Sequence, residues 1–82
     1  MVTRAARQAI ARYNPARLPR REAKATRGDA YADTAIDVAR TLLEGGTMDD
    51  AMRVLREDVL ERFGTRPRGS RMLKIEHALT DM

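Results

Sequence analysis

A small all-α fold is what this sequence predicts: a three- to four-helix bundle built on a central helical hairpin, helix-turn-helix-like in outline. Two observations carry the prediction. Residues 29–44 and 48–63 both place their apolar side chains at helical spacing, and only Gly45, Gly46 and Thr47 separate the two stretches. A connection that short makes the helices spatial neighbours, antiparallel or crossing.

With residues set 100° apart, Tyr31, Ala32, Ala35, Ile36, Val38, Ala39, Leu42 and Leu43 fall on one arc, and Asp33, Asp37, Arg40 and Glu44 fall opposite. The arc spans roughly 160°, wider than the ~100° stripe of an ordinary surface helix, so this helix is expected to touch two neighbours. Asp29 suits its N-cap and Gly28 closes the segment before it. Gly45 or Gly46 is expected to take the left-handed conformation that stops it. Thr47 then caps the next helix, with Asp50 as an approximate capping-box acid, since Asp is shorter than the usual Glu. Met48, Ala51, Met52, Leu55, Val59 and Phe63 line that helix's inner stripe, Asp50, Arg53, Glu57 and Glu61 its outer one, and Gly64 is the expected C-cap.

Ahead of the hairpin, residues 2–13 read as a first helix with Val2, Ala6, Ala9, Ile10 and Tyr13 inside and Arg4 and Arg7 outside. Its apolar side is mostly alanine, so the expected docking is weak. Asn14-Pro15 stops it, because a residue before proline avoids the helical region. Residues 15–28 contain two prolines and one strong apolar anchor, Leu18, and read as an arm or linker with at most a short helix over 20–26. After the basic turn Thr65-Arg66-Pro67-Arg68-Gly69, Ser70 is the expected N-cap of a last helix, 71–82, with Met72, Ile75, Ala78, Leu79 and Met82 inside and Lys74, His77 and Asp81 outside. The chain thus divides into a basic helix or arm, 1–28, and a helical domain, 29–82.

Eighty-two residues make one domain with a thin core, which pairing with a second copy would help to complete. The absence of cysteine excludes a disulfide framework and thiolate chemistry. No run approaches the ~20 apolar residues of a membrane span, and no apolar segment follows the N-terminal arginines, so neither a membrane partner nor a secretory signal is expected and the expected location is cytoplasmic. Arg27-Gly28-Asp29 spells an integrin-type tripeptide that, in such a context, reads as coincidence.

Charge is unevenly spread. Residues 1–28 hold eight Lys or Arg against one acid, 29–63 four against nine, and 64–82 four against two, for a net charge of +4. The first group is Arg4, Arg7, Arg12, Arg17, Arg20, Arg21, Lys24 and Arg27, and a second cluster is Arg66, Arg68, Arg71 and Lys74. Spaced guanidiniums suit a polyanion backbone, since phosphate contacts supply most non-specific affinity, and helix-terminal amides near Arg71 add to that. These twelve are the candidate nucleic-acid-binding residues, and the leading expectation is a non-enzymatic protein bound to DNA or RNA backbone, a small regulator or a component of a nucleoprotein assembly. Two other readings compete for the same charges: a solvated tail, and an arm laid on the acidic faces of Asp33, Asp37, Glu44, Glu57 and Glu61, in its own chain or a neighbour's. The alternative function is a small adaptor or inhibitor, phage-type or antitoxin-type, that binds a protein through its acidic or Met-rich face.

Base readout by 48–63 is disfavoured, because a helix entering the major groove offers Arg, Lys, Asn or Gln near its start and this one offers Asp49 and Asp50. Its arginines sit at pairing distance from Asp50, Glu57 and Asp58. His77 has Asp81 one turn on, yet no nucleophile adjoins it, and one histidine without cysteine offers no metal site. Gly45-Gly46 fits no phosphate-loop pattern. No catalytic residue, metal, cofactor or small-molecule substrate is expected. Tyr31 and Phe63 are expected in the core, which leaves Tyr13 alone for base stacking. Met48, Met52, Met72 and Met82 read as core rather than as a binding surface.

Overall fold

The computed structural model describes residues 2–17 and 30–81, and over them the chain forms helices without a strand: α1 (Val2–Tyr13), α2 (Ala32–Leu43), α3 (Met48–Phe63) and α4 (Gly69–Thr80). The protein is a small all-α bundle. Helix α2 is its centre, packed on α1 along one side and α3 along the other, while α4 lies mainly on α1 and more lightly on α3. The wide apolar arc of α2 is therefore used by two neighbours.

The hairpin forms as its punctuation dictates. At the end of α2 the Gly45 amide donates to the Leu42 carbonyl (3.2 Å) and the Gly46 amide to the Thr41 carbonyl (2.9 Å), a Schellman closure that turns on Gly45 at φ +91°. Gly46 is required for a different reason: a Cβ there would lie 2.7 Å from the Thr41 carbonyl oxygen. Thr47 then starts α3 with a complete capping box. The Asp50 amide donates to Thr47 Oγ1 and the Thr47 amide to Asp50 Oδ2, both at 3.1 Å. These hydrogen bonds hold the Asp50 carboxyl below its ordinary pKa. Gly64, at φ +69°, caps α3 by donating to the Leu60 carbonyl.

One apolar cluster joins all four helices. Ala6 and Ile10 of α1, Tyr31 with Ala35 and Val38 of α2, Ala51, Met52, Leu55 and Val59 of α3, and Ile75 and Leu79 of α4 are buried together. Burying each larger side chain contributes about 1.5–3 kcal/mol. Packing of α1 is closer than its alanines suggest, because Ala6 and Ile10 are wholly enclosed. Its end is also tied down. Asn14 leaves the right-handed helical region at φ +49°, a conformation Asn tolerates better than most residues. The Tyr31 hydroxyl donates to Asn14 Oδ1 (2.7 Å) and accepts from the Ala16 amide (2.9 Å). Arg71 Nη1 donates to the carbonyls of Tyr13 (3.0 Å) and Asn14 (2.8 Å). The Tyr31 ring also packs on Phe63 at 5.2 Å between centroids.

Several boundaries and burials differ from the sequence expectations. Helix α2 is bounded by Tyr31, which makes no side-chain cap, since its hydroxyl lies too far along the ring to reach the first-turn amides; the hydroxyl bonds Asn14 and Ala16 instead. Its expected cap Asp29 lies outside the described residues, as do Gly28, Leu18, the short helix over 20–26 and Met82. Ile36 is 41% exposed and Leu43 68% exposed, so the ends of the α2 arc face solvent. Leu42 is only partly buried, beside Leu55 and Ile75, which are fully so. Helix α4 starts at Gly69, not Arg71. Extended Arg68 is its N-cap, the Met72 amide already bonds the Arg68 carbonyl, and Ser70 is an exposed residue of the first turn.

Candidate nucleic-acid interface

Helix α1 has no acidic residue, and neither has the turn that follows it to Arg17. The helix turns Ala6 and Ile10 inward, so the 3.6-residue period leaves Arg4, Arg7 and Arg12 exposed on the other side. Arg17, at φ +54°, is exposed just beyond. Arg12 rests over the Tyr13 ring at 5.6 Å from the centroid, a cation–π contact. None of these four arginines forms an ion pair among the described residues.

The second basic cluster is divided in its duties. Arg66, Arg68 and Lys74 are exposed. Arg71 is half-buried and holds the end of α1 through the Tyr13 and Asn14 carbonyls, a structural contact that the sequence did not reveal. That contact sets the first turn of α4 against the last turn of α1, so the two basic stretches adjoin. Arg20, Arg21, Lys24 and Arg27 lie outside the described residues.

Part of the acidic side is answered from within, while Glu44, Asp49, Glu57 and Glu61 make no ion pair among the described residues. Arg62 of α3 reaches Asp33 (3.6 Å) and Asp37 (3.5 Å) across the hairpin and Asp58 (3.5 Å) one turn back. Burial opposes its charge, yet these three carboxylates outweigh burial and raise its pKa. Arg53 pairs with Asp50 at 3.8 Å, while the expected Arg53–Glu57 pair is absent among the described residues. Asp58 is the strained member of the group. Its Oδ2 is sealed from solvent and makes no hydrogen bond, the 3.5 Å approach of Arg62 Nε being an ion pair only. Burial first, and then the neighbouring Asp37 carboxyl, push its pKa up to about 6 against the pull of Arg62.

Among the described residues, open grooves lie on two sides of the bundle. One, of about 270 Å³ between α1 and α2, is lined by Thr3, Arg4, Arg7, Ala32 and Ile36. The other, of about 470 Å³ between α3 and α4, has Met52, Met72 and Leu73 in its lining, with Arg53, Arg56, Asp49 and Glu76 around them. Spacing alone puts Ile36 on the apolar arc of α2. Only its position at the edge of the α2 arc, next to charged Asp37, hinted at a boundary role.

Lys74 and His77 are exposed on α4, and Asp81 is exposed just after its last residue. Among the described residues no group of His, Asp or Glu is arranged to hold a metal ion, and no helix is long and apolar enough to cross a membrane. The first turn of α3 carries Asp49 and Asp50, with Asp50 locked into the capping box. No family model, curated protein or solved structure matches the chain, so the reading of this surface rests on its own geometry.

Proposed function

We propose that this is a non-enzymatic, cytoplasmic nucleic-acid-associated protein that binds the sugar-phosphate backbone through α1 and the adjoining start of α4. One observation carries the reading: Arg4, Arg7, Arg12 and Arg17 lie together on a stretch that holds no acidic residue and have no ion pair among the described residues, whereas Arg53 and Arg62 of the hairpin pair with Asp50 and with Asp33, Asp37 and Asp58. Unneutralised guanidiniums on one face are the electrostatic footprint of a polyanion site. An arm laid on the acidic face is less well supported for residues 2–17, since α1 packs on α2 and α4 and makes no ion pair to that face.

Salt dependence is the direct test. With about four phosphates contacted, log affinity should fall against log salt with a slope of about −3 to −4 on duplex DNA. Replacing Arg4, Arg7 and Arg17 by Glu should abolish binding to all sequences alike, because backbone contacts carry no sequence information. Unchanged binding by that variant, or no binding by the wild type at ~50 mM salt, overturns the reading.

The second reading, an adaptor that binds a protein, is favoured by one feature, the α3–α4 groove with Leu73 56% exposed in its lining. Binding through that groove would respond to Leu73→Glu and hardly at all to salt.

A further inference from the structure

The groove between α1 and α2 has two chemistries on its walls. Arg4 and Arg7 stand one helical turn apart on α1 and bring positive charge, and Thr3 adds a hydroxyl. Ala32 and Ile36 of α2 supply an apolar wall, and no acid lines the space among the described residues. A single exposed apolar side chain is ordinary on a protein surface and would carry nothing alone. Here Ile36, 41% exposed, shares one concavity with two guanidiniums that have no ion pair among the described residues.

That combination discriminates between forms of nucleic acid. In a duplex the base faces are stacked away, so an apolar wall gains nothing and only the phosphates meet the arginines. In a single strand a base can leave the stack, lay its face on an apolar side chain or a guanidinium plane, and keep its flanking phosphates within reach of the same cations. We propose that the Thr3–Arg4–Arg7–Ala32–Ile36 groove takes an unpaired nucleotide, base on Ile36 and Ala32 and phosphates on Arg4 and Arg7, so that the protein prefers single strands to duplex. The inference rests on the backbone-binding reading above and narrows its substrate class.

The test is fluorescence anisotropy at ~50 mM salt with a labelled single strand of about 12 nucleotides and the duplex of the same sequence. Wild-type protein should bind the single strand about threefold more tightly than the duplex, less than stacking one base on an aromatic ring would give, because Ile36 and Ala32 are aliphatic. Ile36→Ala, which keeps helix propensity, should lower single-strand affinity to the duplex level and leave duplex affinity unchanged. Ile36→Phe should raise single-strand affinity. Arg4→Gln with Arg7→Gln should weaken both, and circular dichroism should show each variant folded. If the duplex binds as tightly as the single strand, or if Ile36→Ala leaves the single strand unaffected, the inference is overturned and backbone binding stands. If neither form binds, both readings fall together. Binding of anionic phospholipid vesicles in place of either nucleic acid would overturn both as well.

Discussion

Helix α1 and the α2–α3 hairpin share one core but carry charge in opposite ways. Ile10 of α1 and Leu55 of α3 are both wholly buried in the same cluster. In the hairpin, Arg62 gathers Asp33, Asp37 and Asp58, and Arg53 takes Asp50. In residues 2–17 four arginines have no acid at all among them in sequence and no ion pair in the described structure. Charges answered within the fold explain how the fold is held. On α1 the unpaired arginines share a stretch without any acid, and that is the ground on which the phosphate-binding proposal stands.

The comparison breaks first if α1 is not part of the core. Leu55→Ala and Ile10→Ala remove side chains with no solvent exposure, and each should cost about 2–5 kcal/mol in a denaturant titration. If Ile10→Ala costs less than ~1 kcal/mol while Leu55→Ala costs the full amount, α1 is an appendage and its arginines say little about a built surface.

The Arg62 cluster of the hairpin makes a second, pH-dependent prediction. Asp58 titrates near 6 in the folded protein, well above its ordinary value, so the folded chain holds a proton that the unfolded chain has already released. Stability from this group is therefore full below about pH 4, falls as pH rises towards 6, and is flat above. The loss should be on the order of 2 kcal/mol. Asp37 from α2 and Arg62 from α3 are the charged groups that act on it. Asp58→Asn imitates the protonated carboxyl and should be more stable than wild type at pH 8, with the slope between pH 4 and 7 removed. A wild-type melting temperature independent of pH across that window would show that Arg62 satisfies all three acids after all.

How much of this was legible in the sequence follows from the range of the interactions. Local rules placed the hairpin: Gly45, Thr47, Asp50 and Gly64 act within four residues of themselves, and α1 and α3 have the bounds that period and punctuation indicate. The remainder depends on contacts between distant segments. The hydroxyl of Tyr31, at the start of α2, reaches Asn14, seventeen residues away, and Arg71 bonds the end of α1 across fifty-eight. Neither could be read from spacing. The Arg62 knot was half visible, since Asp58 lies one turn back on α3, but Asp33 and Asp37 join it only once the hairpin closes. Of the candidate interface, the exposure of Arg4 and Arg7 followed from helical period, while their groove with Ile36 needed the docking of α1 on α2.

A smaller effect separates the two helix ends. α2 stops on Gly45, where an added Cβ meets no atom within 4 Å but φ is +91°. Gly45→Ala should therefore cost about 1 kcal/mol through backbone strain alone, measured by thermal or denaturant unfolding. α1 stops on Asn14, whose side chain is bonded to Tyr31 as well as sitting at positive φ. Asn14→Gly relieves the strain yet removes that bond, so it should not stabilise the protein. A stabilised Asn14→Gly variant would mean that the Tyr31 contact contributes nothing.

The smallest expected effect is the most informative about charge. Arg4→Gln with Arg7→Gln removes two cations that have no ion pair among the described residues, and exposed substitutions away from such partners change stability by less than about 0.5 kcal/mol. Arg62→Gln removes the one cation among three acids and should destabilise the hairpin measurably, most at neutral pH where those acids repel one another. The two variants make a matched pair, each changing guanidinium to amide on a helix. If both are neutral, the Arg62 knot is only a solvated surface cluster. If the Arg4–Arg7 variant is the destabilised one, its arginines have partners within the fold, and the case that they await a phosphate is lost. If Arg62 matters and Arg4 and Arg7 do not, the basic face of α1 has no task in folding, and binding is where its effect must be measured.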